Sequence, residues 1–251
     1  MLSARPCYLG TDFVPSGGKN TDFTPTQTPR LMRSSTLLLS VAAIATLSSS
    51  LHAQTRADSA GATVLSGFVV LHNSDTVAVE SVSRTPTEVT GTIRFPVKGE
   101  RMTYHLVIAP DETTPLVEVS AWRLSDPESR PARQQTRIIF KADSVAIDDI
   151  TSNGMTTLVY PTMEGAVPYL NLSFGFLEQA TMRAAHLARD TTTVPFFSLA
   201  GGQTAFGTVQ RIGADSASVT LGQVQFRLQV GPEGQIQGGG IPAQQITVSR
   251  R

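Results

Sequence analysis

The sequence predicts a mainly β protein: a curved antiparallel sheet or half-barrel with one amphipathic helix over about residues 172–189. Three observations predict it. From Ala62 to Tyr160 apolar and polar residues alternate in short runs, the period of two that places successive side chains on opposite faces of a strand. A single stretch after Pro168 changes to helical spacing. Alternation then returns and continues to the end, giving strands over 62–160, a helix over 172–189 and strands over 194–250.

In the first region "VTGTIRF" puts Val89, Gly91, Ile93 and Phe95 on one face and Thr90, Thr92 and Arg94 on the other. "MTYHLVI" likewise sets Met102, Tyr104, Leu106 and Ile108 against Thr103, His105 and Val107. Turn-forming clusters, "RTPT", "PVKGE", "PDETTP", "DPESRP" and "TSNG", separate such runs, and short strands separated in this way read as an antiparallel meander. In "VPYLNLSFGFLEQATMRAAHLARD", Leu170, Phe174, Leu177, Ala184 and Leu187 share one stripe, while Gln179, Arg183, His186 and Asp190 share the polar one. Asn171 is the expected N-cap, and Gly175 weakens the first turn by about 1 kcal/mol relative to alanine. Beyond the helix, "VQFRLQV" directs Val224, Phe226, Leu228 and Val230 inward, "GPEG" turns the chain, and "IPAQQITVSRR" adds a final strand. Local patterning leaves open whether the two strand regions form one sheet or two.

Three similar segments, "NSDTVAV" at Asn73, "KADSVAI" at Lys141 and "GADSASV" at Gly213, each follow one strand and lead into another. Aspartate followed by Ser or Thr can hydrogen-bond its own backbone two residues onward, so the recurrence reads as three hairpin turns. A calcium loop needs several convergent oxygen ligands, and each copy offers one carboxylate.

Upstream of the β region, Arg33 is followed by the apolar run Leu37–Leu47, "LLLSVAAIATL", and then by "SSSLHA", which ends in the small residue Ala53. That order of charge, apolar core and small residue is a secretory signal. The core has 11 residues, whereas a spanning helix needs roughly 20. Cleavage between Ala53 and Gln54 is therefore expected, with export to the periplasm or the extracellular space and no transmembrane span afterwards. Residues 1–31 read as a disordered extension ahead of a start at Met32, residues 32–53 as the signal peptide, and residues 54–251 as the exported β-rich domain.

Residues 1–53 carry four of the 20 basic and two of the 20 acidic residues, leaving 16 and 18 and a net charge of −2 for the exported part. The basic residues are scattered, so there is no footprint for nucleic acid. The single cysteine, Cys7, lies in the extension, which excludes disulfides, thiol catalysis and cysteine-bound metal in the domain. His72, His105 and His186 include no closely spaced pair, so no metal site and no cofactor are expected. No Gly-x-Ser-x-Gly occurs; "NLSFG" around Ser173 only resembles half of a nucleophile elbow, and serine at a helix start is explained by capping. Glu80 and Glu118 fit the solvent face of strands. The glycine runs "AGGQT" and "QGGGIP" lead into no helix, so they read as turns and bulges and not as phosphate loops. No catalytic residue is assigned. Tyr104, Trp122, Phe174 and Leu177 are the expected lining of an apolar cleft between sheet and helix.

The order of about eight strands, one helix and further strands, with the passage "EGAVPYLNLSFGFLEQA" between them, resembles periplasmic half-barrel proteins that wrap a curved sheet around a helix, as lipoprotein carriers do. The resemblance implies a non-enzymatic module that binds a lipid-like small molecule or a protein segment. Two other readings are a secreted hydrolase with polar residues converging from separate strands, and an outer-membrane barrel. The barrel calls for aromatic girdles, and aromatics are 6% of the chain. Sequencing of the N-terminus of the secreted protein is expected to read from Gln54; a mature chain that begins before Met32 would overturn the assignment of the leader.

Overall fold

A computed structural model of the chain describes residues 64–251. The predicted extension and signal peptide, with Cys7, Ala53 and Gln54, lie outside these residues. The first meander runs through β1 (Val64–His72), β2 (Asp75–Arg84), β3 (Glu88–Phe95), β4 (Glu100–Val107), β5 (Leu116–Arg123), β6 (Gln134–Phe140), β7 (Ser144–Thr151) and β8 (Gly154–Pro161). A short β9 (Val167–Tyr169) leads into α1 (Phe174–His186). The second meander comprises β10 (Thr191–Ser198), β11 (Gln203–Arg211), β12 (Ser216–Leu221), β13 (Val224–Val230), β14 (Ile236–Ile241) and β15 (Ile246–Arg250), with a 3-10 turn at Pro242–Gln244 before β15.

The two regions form one sheet. Among the described residues its 15 strands run in the order β8 to β1, then β15 to β9, so the first and last strands join the meanders along an antiparallel seam in which Val70 faces Val248. The sheet is curved and open, not closed into a barrel. It is also mixed, because β9 pairs with β10 in parallel. Its inner face follows the predicted alternation: Val89, Ile93, Phe95, Met102, Tyr104, Leu106, Phe226, Leu228 and Val230 are all buried. The outer face carries their polar neighbours in sequence. Across the opening, Phe197 of β10 meets Phe140 of β6 and Tyr160 of β8, at ring distances of 5.7 and 6.2 Å, and the Thr162 and Thr204 hydroxyls hydrogen-bond at 2.8 Å. Side chains thus bring the two ends together where no ladder forms.

All three aspartate segments are hairpin turns. Asn73 has φ 57° at the β1–β2 turn, and the other two turns close through Lys141 N–H to Ser144 C=O (2.8 Å) and Ile212 N–H to Ser216 C=O (2.9 Å). The expected bond from the carboxylate to its own backbone is found instead at Asp111, which accepts from Thr113 N–H at 3.1 Å. "AGGQT" contains the β10–β11 turn, but the glycines of "QGGGIP" lie inside β14. Gly239 there has φ +126°, and a Cβ on it would strike the carbonyl oxygen of Arg227 on the neighbouring strand. Close approach of backbones, not a turn, demands that glycine.

The helix departs from its predicted polarity. Every residue from Phe174 to Thr181 is buried, Glu178, Gln179 and Thr181 included, and beyond them only Ala184 is. The first two turns are therefore inside the curved sheet, and the last emerges from it. Gln179, expected on a solvent stripe, is 3% exposed, while Leu187, expected inside, is 49% exposed. The N-cap is Ser173, not Asn171: its side chain accepts from Phe176 N–H. Phe174 packs between Phe68 of β1 and Phe226 of β13, at 6.0 and 6.4 Å, and so touches both meanders. Substituting Phe174→Ala should cost about 3–5 kcal/mol, read as a lowered urea midpoint with an unchanged slope; a loss under about 1 kcal/mol would show that this contact does not hold the meanders to the helix.

Candidate functional site

Local alternation on β2 places Ala78, Glu80, Val82 and Arg84 on the face that meets α1, so a carboxylate stands in an apolar row. Glu80 is 2% exposed, not on the solvent face its sequence context suggested. One of its oxygens accepts from Tyr104 Oη (2.7 Å) and Ser173 Oγ (2.6 Å), and the other from the backbone N–H groups of Phe174 (2.8 Å) and Gly175 (3.1 Å). Two of the helix's orphan donors are thereby satisfied, and the negative group sits at the positive end of the helix dipole. Burial pushes the Glu80 carboxyl above the usual carboxylate range, and the four donated hydrogen bonds pull it back. Burial, reinforced by the neighbouring Glu80 charge, also pushes the Tyr104 hydroxyl well up. Gly175 makes the arrangement fit, because a Cβ there would collide with Tyr104 Oη and Glu80.

One turn further along α1, Glu178 forms the second polar centre. It is 1% exposed and lies between Arg250 of β15 (Nη1–Oε1 2.5 Å) and Arg84 of β2 (Nη2–Oε2 3.5 Å), and it also accepts from Ile236 N–H of β14 at 2.9 Å. Arg250 in turn donates to Ile236 C=O (2.6 Å) and Ser66 Oγ (2.9 Å). Arg84 donates to the Gln179 side chain at 2.7 Å, and desolvation holds its guanidinium below the ordinary arginine range despite the attraction of Glu178. These partners explain how polar residues of α1 come to be buried. They link the helix to strands from both meanders.

An open cleft lies elsewhere. Where α1 emerges, Ala184, Ala185 and Ala188 are too small to reach the sheet, and a cleft of about 340 Å³ remains against Val209 of β11, Ala217 of β12, Val230 of β13 and the turn Gly231–Gly234. Thr181, Arg189, Asp190 and Arg211 complete its lining. Arg211 is held by the carbonyls of Gly213 and Ala214 at 3.2 and 3.1 Å.

Of the residues expected to line an apolar cleft, Tyr104, Phe174 and Leu177 are brought together in the filled core around the first turns of α1, each at most 3% exposed. Trp122 is not with them. It shares strand parity with Glu118 and Ser120, lies on the outer face, and donates from Nε1 to Arg130 C=O at 2.9 Å. Glu118 is exposed on that outer face, so Glu80 and Glu118 do not converge. His105 lies beside Glu118 and Glu88, at 3.5 and 3.8 Å, also outside the sheet. His186 pairs with Glu112 at the end of the helix. Ser173 is 3% exposed and bonds to Glu80 and Phe176, with no histidine among its partners. Among the described residues no group of three or more His, Cys, Asp or Glu could hold a metal.

No family model matches the sequence, and no curated protein matches it. A solved structure, that of a DUF1089 family protein from Pseudomonas aeruginosa, aligns with a TM-score of 0.50 at 13% identity, over 69% of this chain and 94% of that one. At that identity the likeness is one of fold. It supports a β-rich half-barrel without identifying a lipoprotein carrier.

Because all four partners of Glu80 donate to it, two to each oxygen, Glu80→Gln replaces one of those acceptors with an amide N–H₂, and either the N–H pair of Phe174 and Gly175 or the O–H pair of Tyr104 and Ser173 loses its acceptor. A loss of about 3 kcal/mol is expected, given ~1–3 kcal/mol for each donor left unsatisfied, whereas Glu118→Gln should stay within about 0.5 kcal/mol. Equal urea midpoints for the two variants would show that Glu80 does not hold the helix.

Proposed function

We propose that this protein is an exported, non-enzymatic module that binds an apolar small molecule in the cleft between the last turns of α1 and strands β11–β13. One observation carries this reading: the cleft is walled by Ala184, Ala185, Val209, Ala217 and Val230, and its volume falls in the range of small-molecule sites, about 300–1,000 Å³. Arg189 and Arg211 in its lining give the ligand's polar end a place to sit. The anchored first turns of the helix hold one wall rigid. The hydrolase reading needs a histidine with a carboxylate and a hydroxyl in a cleft, and neither His105 nor His186 lines this one. The proposed occupant is thus a lipid-like chain or ring, and a protein segment would compete for the same wall.

Dodecanoate serves as the probe, titrated by calorimetry, with native mass spectrometry of protein purified from its host as a companion measurement. Ala185→Phe fills the cleft from the helix side and should weaken dodecanoate by about tenfold or more, some 1.4 kcal/mol, with an unchanged circular dichroism spectrum. Absence of saturable binding together with no co-purifying molecule would defeat the proposal, as would equal affinity in the filled variant.

A further inference from the structure

A second concave site lies on the opposite, outer face of the sheet, over β2–β5, with a volume of about 470 Å³. Strand register builds it. Arg94 of β3 stands directly opposite Arg101 of β4, which stands opposite Trp122 of β5. In the adjacent row Ser81, Thr92, Thr103 and Ser120 face one another across the same four strands, at the strand spacing of about 4.7–4.9 Å. Two guanidinium groups directly opposite on one face repel, and such a pair is destabilising unless something negative lies between.

Arg101 is held in place and not left to wander. Its guanidinium lies 5.0 Å from the centre of the Trp122 ring, a cation–π contact. It also reaches Glu128 at 3.2 Å, and its side chain is 13% exposed against 85% for Glu128. Trp122 is itself anchored by its bond to Arg130 C=O. Yet Arg101 Nε is buried without a hydrogen-bond partner, a donor lacking the acceptor that burial calls for. A positioned cation, an opposed second cation and a flanking row of hydroxyl donors are what a tetrahedral oxyanion would complete.

We infer that this outer groove is a binding site for a phosphate or sulfate group, held between Arg94 and Arg101 with its remaining oxygens on the Thr92 and Thr103 hydroxyls. Glu128 is the internal competitor: it occupies one side of Arg101 and swings away when the anion enters. The site is separate from the inner cleft, so its ligand need not be the apolar one.

The test is an NMR titration of the purified protein at constant ionic strength, following the Arg101 Nε–H and Trp122 Nε1–H signals, with inorganic phosphate, sulfate and glycerol 3-phosphate as separate arms and chloride as the control. Saturable shifts with phosphate or sulfate are expected. The tighter of those two names the class, and a stronger response to glycerol 3-phosphate than to inorganic phosphate marks an organic ester as the source. Arg94→Gln changes an exposed side chain and should weaken binding by about tenfold, while Glu128→Gln should tighten it severalfold. Shifts that rise linearly and equally in chloride, or affinities left unchanged by both substitutions, would overturn the assignment.

Discussion

Placing two turns of a helix inside a β-sheet removes water from Glu178, Gln179 and Thr181 as well as from Phe174, Phe176 and Leu177, so the fold depends on how those polar groups are satisfied. An isolated buried carboxylate would take up a proton or destabilise the fold. Here Glu80 meets the bare N–H groups at the helix start, and Glu178 meets Arg84 and Arg250. The carboxylate on the strand completes the helix terminus, and the carboxylate on the helix completes the strands. Thr181 joins them by donating to Gly234 C=O at 2.7 Å. Apolar burial, at roughly 1.5–3 kcal/mol for each large side chain, favours an enclosed helix; these bonds decide its orientation and depth.

The same constraint shapes the rest of the molecule. Because α1 is secured at its first turns, its alanine-rich end cannot move closer to β11–β13, and the gap there follows from small side chains on a rigid support. The seam between β1 and β15 has a comparable role for the sheet. Arg250 on the last strand reaches Ser66 on the first, 184 residues away in sequence, and shares Glu178 with Arg84. One buried charge cluster therefore ties the helix to strands from both meanders, and the sheet curves around it. The outer face answers to a different rule. Its side chains do not pack against the helix, so register lines up the arginines, the indole and the hydroxyls, and Glu128 and Arg130 from the β5–β6 connection hold Arg101 and Trp122.

Much of the candidate chemistry was partly legible. Trp122 alternates with Ser120 and Glu118 along "LVEVSAWR", which is enough to assign it to the polar side. Glu80 alternates with Ala78 and Val82, the mark of a charge on an apolar face, but Val77 and Val79 make the other face of that strand equally apolar and hide the signal. The helix stripe misleads for another reason. A polar residue at helical spacing signals solvent only when nothing across from it can satisfy it, and Arg84 lies 95 residues from Gln179.

The sequence by itself determined the strand faces of "VTGTIRF", "MTYHLVI" and "VQFRLQV", the three aspartate turns and the position of α1, because alternation, turn chemistry and helical period act between near neighbours. Only the tertiary structure decided that the two meanders share one sheet, that Ser173 and not Asn171 caps the helix, that Glu80, Glu178 and Gln179 are buried, and that the open cleft faces Ala184 and Ala185 instead of Tyr104 and Phe174. Each of these rests on contacts between residues far apart in the chain, where the energy of a buried hydrogen bond or of close packing depends on a partner that no local pattern names.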